Sequence, residues 1–379
     1  MNKQRISLLT SGHPPFDERI YWKFAKSLIE SNYLVSIFCS TTYINQNTDN
    51  ILIKGFDGTE YSRRKKIDEF TILLKSFNPD LIICSEPLPV FAANKFSRNK
   101  KSVKIILDIT EWFPENVAFK FSGIKKWLQY FKLFLPYIYI LQLVNHIVVG
   151  EKNKKKRYDL LAFNKTKNII GYYPVLKYFN YRPPDLLKEE IVLGYAGVVT
   201  IERGIINLLR ISNAIAENYP DKSFTLLIFG KFTYYNEESH FHQLLKQYKS
   251  IKVEFANWTD YDKMSIVIEK MDICFDLRDR NFIYRNSLPI KIFEYMACGK
   301  PFIYADIKPI SNEINIHQHG FLVNPDNDQE VISAVERYLN NPDLSVTHSK
   351  KSRRLIEENK NWENESKKLI QLVNDILTK

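Results

Sequence analysis

The chain has 379 residues, of which 45% are hydrophobic and 26% charged, so its length suits two or three globular domains. With a mean hydropathy of -0.29, this composition excludes a small disulfide-stapled scaffold and argues against a polytopic membrane protein. Cys39, Cys84, Cys274 and Cys298 form no CxxC pair and lie in apolar runs, which predicts buried thiols in a reducing cytoplasm. The first apolar stretch is too short for a signal peptide.

The net charge of +11 is confined to the first half of the chain. Residues 1–190 hold 30 Lys and Arg against 18 Asp and Glu, a net +12, whereas residues 191–379 hold 24 against 25, a net -1. A one-sided basic field favours a polyanion, either nucleic acid or the anionic face of a membrane. Solvated lysines are the simpler interpretation of any single cluster. No recognition motif accompanies the charge, so no nucleic acid is expected as a partner.

Short β-rich runs alternate with helical segments along the first half. The predicted strands are residues 5–11, 34–40, 80–86, 104–110, 146–150 and 169–173, and residues 19–31 show one apolar helical stripe. Such alternation predicts a parallel sheet with helices on both faces. Residues 181–190 then interrupt the pattern with adjacent prolines and charge, which predicts a first domain of residues 1–182.

The alternation restarts after this break. Strands are predicted at residues 191–196, 223–229, 252–255, 273–277, 302–305 and 321–323, within a second domain of residues 183–360. Residues 361–379 form a further helix with one apolar side, expected to pack back on the first domain. The predicted fold is therefore α/β, with two doubly wound Rossmann-like domains facing across a cleft and ligands at the carboxyl ends of the strands.

Residues 127–149 are the most apolar and aromatic in the chain, but Lys132, Pro136, Gln142 and Asn145 spoil a membrane-spanning helix. Two interpretations remain. The run is a buried helix pair of the first domain, or its aromatic and lysine side chains lie in a membrane interface. Both hold if one face packs inward and the other meets lipid.

Two segments of the second domain carry the predicted chemistry. Gly197 follows a predicted strand and leads into a predicted helix. Arg203 lies at the start of that helix, and Lys231 lies in the turn after the next strand. A helix start with these cations predicts an anion site. A plain strand–turn–helix is the alternative. In residues 285–304, Glu294 lies in a short helix otherwise committed to packing, so it must be paired or engaged with ligand hydroxyls. The structural alternative is a salt bridge to Lys291 or Arg285.

These segments, LPIKIFEYMACGKPFI at residues 288–303 and GYAGVVTIERG at residues 194–204, resemble the retaining glycosyltransferases of family 4, which have the GT-B fold. The resemblance extends in order over essentially the whole chain. It implies transfer of a sugar from a nucleotide diphosphate donor held by the second domain to an acceptor held mainly by the first. It implies no metal and no further cofactor.

The resemblance also assigns roles in the donor site. Glu294 is expected to bind the nucleotide ribose. The other donor-site Glu of the family pattern, separated from it by seven residues, is replaced here by Asn286, a predicted catalytic position. The family often has an arginine directly after the loop glycine, where this chain has Val198. Arg203 is therefore expected to stabilise the leaving diphosphate, and its helpers come from Lys231, Arg285 and Lys291.

In the first domain, Asp108 and Glu111 follow a strand and are expected on the acceptor side, with Glu111 positioning the acceptor hydroxyl or accepting its proton. A helix N-cap is the alternative role for either acid. Gly12 and His13 match a family loop near the acceptor and diphosphate. Asp17 with Arg19 is expected to form a local cap or ion pair.

The leading hypothesis is a retaining glycosyltransferase that extends a cell-surface polysaccharide on a glycan or lipid-linked acceptor, cytoplasmic and peripheral at the inner face of the membrane. One alternative is a nucleotide-sugar epimerase of the same fold. Another is a catalytically silent subunit. Three departures from the family pattern favour it: Asn286, Val198 and Thr110, the last at a position where the family often has a histidine. Retention of Glu294, Arg203 and Glu111 opposes it.

Overall fold

The computed structural model describes residues 3–378. The chain forms two compact units: residues up to Tyr172 together with those from Trp362 onward form the first, and Tyr173–Asn361 form the second. The proline-rich segment at residues 181–190, where we predicted the boundary, thus lies within the second unit.

The first unit is built on an eight-stranded sheet with the order β3-β4-β2-β1-β5-β6-β7-β8. Its strands are β1 (Arg5–Thr10), β2 (Leu34–Cys39), β3 (Thr41–Thr48), β4 (Ile51–Asp57), β5 (Leu81–Cys84), β6 (Lys104–Ile109), β7 (His146–Val149) and β8 (Thr166–Ile169). All neighbouring strands run parallel except β3, which is antiparallel to β4.

Helices connect these strands. They are a π-helix (Glu18–Ala25) continuing into α1 (Lys26–Glu30), then α2 (Arg63–Phe77), α3 (Pro87–Ser97), α4 (Glu115–Ala118), α5 (Gly123–Leu143) and α6 (Lys152–Leu161). The core of this unit lies where β5, β6 and β7 pack against α3 and α5, around Ile82, Leu107, Ile147 and Tyr137.

Two parts of this sheet differ from the prediction. The hairpin of β3 and β4 was missed, because β3 is a polar edge strand whose side chains are mostly exposed and give no apolar alternation. The strand predicted at residues 169–173 is wrong: β8 ends at Ile169, and the N–H of Gly171 donates to the Glu365 carboxylate at 2.7 Å. The chain has thus left the sheet at that point.

The second unit has a six-stranded parallel sheet with the order β11-β10-β9-β12-β13-β14. Its strands are β9 (Glu190–Ala196), β10 (Ser223–Phe229), β11 (Lys252–Ala256), β12 (Ile273–Asp276), β13 (Phe302–Ala305) and β14 (Gly320–Val323). Every strand predicted in this half is confirmed to within a residue or two. The buried apolar runs of β9, β10, β12 and β13 are typical of a sheet covered on both faces, whereas the edge strand β11 is mostly exposed.

The helices of this unit are α7 (Ile205–Asn218), α8 (Tyr235–Leu245), α9 (Met264–Ile268), α10 (Phe282–Asn286), α11 (Lys291–Ala297), α12 (Lys308–Ser311), α13 (Asp328–Leu339) and α14 (Pro342–Glu358). Short 3-10 turns occur at Leu176–Tyr178, Ile201–Arg203, Tyr261–Lys263 and Ile316–Gln318. One face of the sheet packs against α7 and α13. All four cysteines are buried and free, as predicted.

The final helix, α15 (Trp362–Leu377), belongs to the first unit. Its first residue holds it there: the Trp362 indole stacks on Phe24 with ring centres 5.7 Å apart, and its Nε1 donates to the Ser27 hydroxyl at 2.9 Å. The apolar side of α15 follows with Leu369 and Val373, both fully buried.

The aromatic run forms one helix rather than a pair. Tyr137, Ile140 and Leu141 of α5 are buried in the core, whereas Trp127, Leu128, Phe131 and Leu135 are more than half exposed. One face therefore packs inward and the other meets solvent. Within residues 3–378, no helix combines the length and apolar character needed to span a bilayer.

Replacing Trp362 with alanine is expected to destabilise the first unit by about 3–5 kcal/mol, because the stack on Phe24 and the bond to Ser27 are lost together. Thermal denaturation followed by circular dichroism should show a lower midpoint. Trp362→Phe keeps a stacking ring and loses only the hydrogen bond, so about 1 kcal/mol is expected. Equal midpoints for Trp362→Ala and wild type would contradict this assignment.

Candidate active site

The loop after β9 begins with Gly197, whose lack of a side chain determines the local backbone conformation. Gly197 adopts a φ of 125°, in the region that favours glycine, and its N–H donates to the carbonyl of Phe229 at 2.7 Å. A Cβ at this position would collide with Cε and Nζ of Lys291. Gly197 is therefore required for the lysine to lie against the backbone of the loop.

Lys291, the first residue of α11, is held by two neighbours. Its Nζ donates to the Tyr195 hydroxyl at 3.0 Å and lies 3.5 Å from Oδ2 of Asp276. Burial lowers the pKa of Lys291 to about 7; Asp276 opposes this shift, and the positive charges of Arg203 and Arg278 add to it. The Lys291 ammonium is thus poised to gain or lose its proton near neutral pH, and an added anion would stabilise the charged form.

Asp276 is the fully buried anion of this cluster. It accepts both arms of the Arg278 guanidinium, at 2.7 and 2.5 Å, and the Tyr304 hydroxyl at 2.9 Å. Although burial alone would raise it, the charges of Arg278 and Lys291 hold the pKa of Asp276 far below its usual range. Arg278 is therefore committed to Asp276, whereas Lys291 lies at the longer distance of 3.5 Å from it.

Arg203 ends the 3-10 turn that precedes α7 and is partly exposed. Its guanidinium carbon lies 5.8 Å from the ring centre of Tyr284, and that of Arg278 lies 5.1 Å from the same ring. Tyr284 thus links the two arginines. Because Arg203 influences the pKa of Lys291, its charge acts on the same site.

Helix α11 carries the other predicted donor-site residue, Glu294, which is 2% exposed. Glu294 is one turn beyond Lys291, and its charge raises the lysine pKa. The next residue anchors the helix, since the Tyr295 hydroxyl accepts the N–H of Ala196 at 2.9 Å. The end of β9 and the start of α11 are thereby fixed together.

The remaining predicted donor residues lie differently. Lys231 and Arg285 are exposed, and Asn286 donates through its side-chain amide to the carbonyl of Phe282 at 2.8 Å, within its own helix. Their roles stay predictions. The sequence analysis did not select Asp276 or its pairing with Arg278. Among the described residues, no group of His, Cys, Asp and Glu is arranged to hold a metal ion.

A second cluster lies at the carboxyl ends of β1 and β5 in the first unit. Glu86, which the sequence analysis did not select, accepts the Thr10 hydroxyl at 2.8 Å and the N–H groups of Ser11 and Gly12 at 2.8 and 3.1 Å. Burial raises the pKa of Glu86, and the charge of His13 opposes this shift. Glu86 thus fixes the loop that carries Gly12 and His13.

His13 lies between two carboxylates, with Nδ1 3.4 Å from Asp17 and Nε2 3.5 Å from Glu86. Burial acts to lower its pKa, but the hydrogen bond to Asp17 and the charges of Asp17, Glu86 and Glu111 raise the pKa of His13 to about 9. The imidazole is therefore a cation at neutral pH. Glu111 is exposed and accepts the side-chain amide of Asn116.

Asp108, predicted on the acceptor side, is buried and paired in the structure, and its role stays a prediction. It is 1% exposed, and both of its oxygens accept from Arg19, at 2.6 and 2.7 Å. The Arg19 guanidinium also lies 3.9 Å from the ring centre of Tyr172, so the pair is sealed inside the unit. Of the two roles predicted for Asp17, the local cap is confirmed: its carboxylate accepts the backbone N–H groups of Arg19 and Ile20 at the start of the π-helix.

Residues 179–375 match the family described as group 1 glycosyl transferases. This match covers just over half of the chain. The chain belongs to this family, and it is a glycosyltransferase. An uncharacterized glycosyltransferase of Haemophilus influenzae is 23% identical over 373 residues, covering 94% of this chain and 96% of that protein.

Solved structures of low sequence identity show the same fold. Sucrose-phosphate synthase from Thermosynechococcus elongatus superposes with a TM-score of 0.79 at 16% identity, covering 99% of this chain and 100% of that chain. HepE from Anabaena, in complex with UDP and glucose, superposes with a TM-score of 0.71 at 12% identity, covering 98% and 100%. These neighbours have the GT-B fold, which confirms the predicted class of two doubly wound Rossmann-like domains.

The geometry predicts that Lys291 is charged below about pH 7 and neutral above it, far below the range of an ordinary lysine. Reductive ¹³C-methylation followed by NMR titration should show one such lysine, and Lys291→Arg should remove its signal. Arg203→Met takes away one of the charges that depress this pKa, so the midpoint should rise. A Lys291 midpoint near 10 would contradict the described surroundings.

Proposed function

We propose that this glycosyltransferase belongs to the retaining family 4 and takes its sugar from a nucleotide diphosphate sugar bound by the second unit. The observation that supports this most directly is the contact of Lys291 with Gly197. It places the amino group of Lys291 against the backbone of Gly197 at the carboxyl end of β9, where ligands of parallel sheets bind. A diphosphate can approach such a surface closely.

Breaking the bond between the sugar and the diphosphate leaves additional negative charge on the leaving group. Lys291 and Arg203 are the cations that would stabilise this charge, because Arg278 is already committed to Asp276. Protonation of Lys291 would accompany binding, since an anion beside the amine raises its pKa. The proposed reaction needs no metal for this step.

Glu294 is the proposed ligand of the ribose hydroxyls, as the family pattern implies. Its burial on α11, one turn from Lys291, is consistent with that role. Asn286 takes the position of the first donor-site carboxylate and would offer an amide to the sugar. UDP is the favoured nucleotide, because structures of the neighbour HepE contain UDP and UDP-glucose.

The first unit is proposed to hold the acceptor, a glycan or a lipid-linked saccharide of cell-surface polysaccharide synthesis. Its candidate residues are His13, kept charged by Asp17 and Glu86, and the exposed Glu111. A carboxylate within hydrogen-bond reach of an acceptor hydroxyl can orient it or accept its proton. Glu111 is the acid free to do this, since Asp108 is sealed by Arg19.

We expect Lys291→Met to weaken binding of the donor nucleotide by about ten- to a hundredfold, the loss of about 1.5–3 kcal/mol from one charged hydrogen bond. Calorimetry and thermal shift against UDP-, GDP-, ADP- and CMP-linked sugars will measure this. Saturation at 100 times Kd should stabilise the wild type by about 2.7 kcal/mol. At pH 8 binding to the wild type should take up a proton, seen as a buffer-dependent enthalpy that Lys291→Met lacks.

Lys252→Met is the matched control, because Lys252 is an exposed lysine of the same sheet that pairs with Glu254. It should bind as the wild type does. EDTA should leave the affinity unchanged. Wild-type protein that binds none of the four donor classes would contradict the proposed donor site.

The proposed membrane association rests on the exposed side of α5. Trp127, Leu128, Phe131 and Leu135 are 54–68% exposed and recur at helical spacing. Lysines interleave with them, and Nζ of Lys126 lies 3.7 Å from the ring centre of Phe119. An apolar stripe bordered by lysines suits the interface of an anionic bilayer.

The neighbouring segment extends this basic character. Residues 120–167 contain eleven Lys and Arg but only two acidic residues, which is most of the net charge of the chain. Lys165 fixes the segment to the end of α5 by donating to the carbonyl of Gln142 at 3.0 Å. Leu160 and Phe163, both more than 80% exposed, add apolar surface beside these lysines. Because each basic residue near the surface contributes about 1 kcal/mol of lipid attraction, the combined segment suits an anchor to an anionic surface.

The triple variant Trp127→Ser, Leu128→Ser, Phe131→Ser is expected to bind vesicles containing phosphatidylglycerol at least about tenfold more weakly than the wild type. Sedimentation with vesicles will measure this. High salt and pure phosphatidylcholine should each release the wild type. Tyr43→Ser, which changes an aromatic residue of β3 that is 81% exposed, is the control and should change nothing. Binding indifferent to salt and lipid charge would contradict the proposal.

A further inference from the structure

An aromatic side chain at the carboxyl edge of the second sheet has no role in the site described so far. Trp258 comes two residues after β11, and 48% of it is exposed. One face of its indole stacks on Phe229, the last residue of β10, with ring centres 5.2 Å apart and planes inclined by 19°. Because Phe229 is fully buried, it supports the indole from below and leaves the other face to solvent.

The strand register connects this indole with Lys291. Ala196, Phe229 and Ala256 are paired residues at the ends of β9, β10 and β11. The next residues of β9 and β10 are Gly197 and Gly230, and a Cβ on Gly230 would collide with the carbonyl of Gly197. Between the Lys291 ammonium and Trp258, the ends of β9 and β10 are therefore followed by Gly197 and Gly230, which present only backbone. We call this line of strand ends the row.

The spacing along this row suits a nucleotide. β11 lies two strand spacings from β9, about 10 Å at 4.7–4.9 Å per spacing. The base and the terminal phosphate of an extended nucleoside diphosphate are separated by a distance of the same order. Thr259, the next residue after Trp258, also has a buried hydroxyl without a hydrogen-bond partner among the described residues. A flat aromatic face and an available hydroxyl are suitable partners for a nucleobase.

We propose that Trp258 is the platform on which the nucleobase of the donor stacks, an inference that rests on the donor site proposed above. Stacking on an indole recognises the flat face common to all bases, so Trp258 supplies affinity for the nucleoside. Choice among bases then falls to polar groups beside the indole; the Thr259 hydroxyl is buried and would have to turn toward the ligand to take part.

The test compares Trp258→Ala with Trp258→Phe by calorimetry, using UDP, GDP, ADP and CMP as probes. For the nucleotide that binds the wild type, Trp258→Ala should lose about ten- to a hundredfold in affinity, because the stacking face is gone. Trp258→Phe keeps an aromatic face and should stay within about threefold of the wild type. Inorganic pyrophosphate, which has no base, should bind all three proteins equally.

Fluorescence gives an independent readout, because Trp258 is the only tryptophan between residues 173 and 361. Nucleotide binding should quench the wild-type emission. Trp258→Phe should abolish this quenching while calorimetry still detects binding, and Trp127→Phe, which changes a half-exposed tryptophan of the first unit, should retain it.

Three outcomes would overturn the inference. The first is wild-type nucleotide affinity in Trp258→Ala, and the second is an equal loss of pyrophosphate affinity in that variant. Either leaves the donor site itself intact as a proposal, since the wild type still binds. The third, a wild type that binds none of the four nucleotides, overturns the donor site and the platform together.

Discussion

The contact of Lys291 with the Gly197 backbone is the constraint on which the rest of the candidate donor site depends. It exists because Gly197 has neither a Cβ nor a preference for negative φ, and because Tyr295 ties α11 to the end of β9. With a larger residue at 197 the ammonium would have to move, and its contacts with Tyr195 and Asp276 would move with it. The positions of Gly197 and Lys291 therefore depend on each other.

The charges around Gly197 and Lys291 determine the protonation state of the lysine. A buried lysine surrounded by two arginines would be costly without an anion, and Asp276 supplies one that Arg278 and Lys291 keep ionised. Asp276 and Arg278 neutralise each other in the interior, and the remaining positive charge of the cluster lies on Lys291 and Arg203. A partly neutral Lys291 avoids part of the cost of burying charge.

The sequence predicted most of the scaffold but only part of the site. Strands such as β9 and β10 were found because buried parallel strands are continuous apolar runs, whereas β3 is polar and was not. Gly197, Arg203, Lys291 and Glu294 were selected from local patterns. Arg19 and Asp108 lie 89 residues apart in the chain, and only the adjacency of folded elements makes them partners. Pairings of this kind give no local signal, which is also why Glu86, whose partners lie about 75 residues earlier, went unrecognised.

The departure at Val198 follows from the same charge balance. Val198 is 44% exposed, and its carbonyl accepts the Tyr195 hydroxyl that in turn receives Lys291. An arginine there would add a third cation beside Lys291, next to Arg203 and Arg278, and would depress the lysine pKa further. Such a site would bind diphosphate through the arginine and keep the lysine neutral. With valine at this position no additional cation opposes the charging of Lys291, so an anion bound beside the Gly197 backbone would draw a proton onto the lysine.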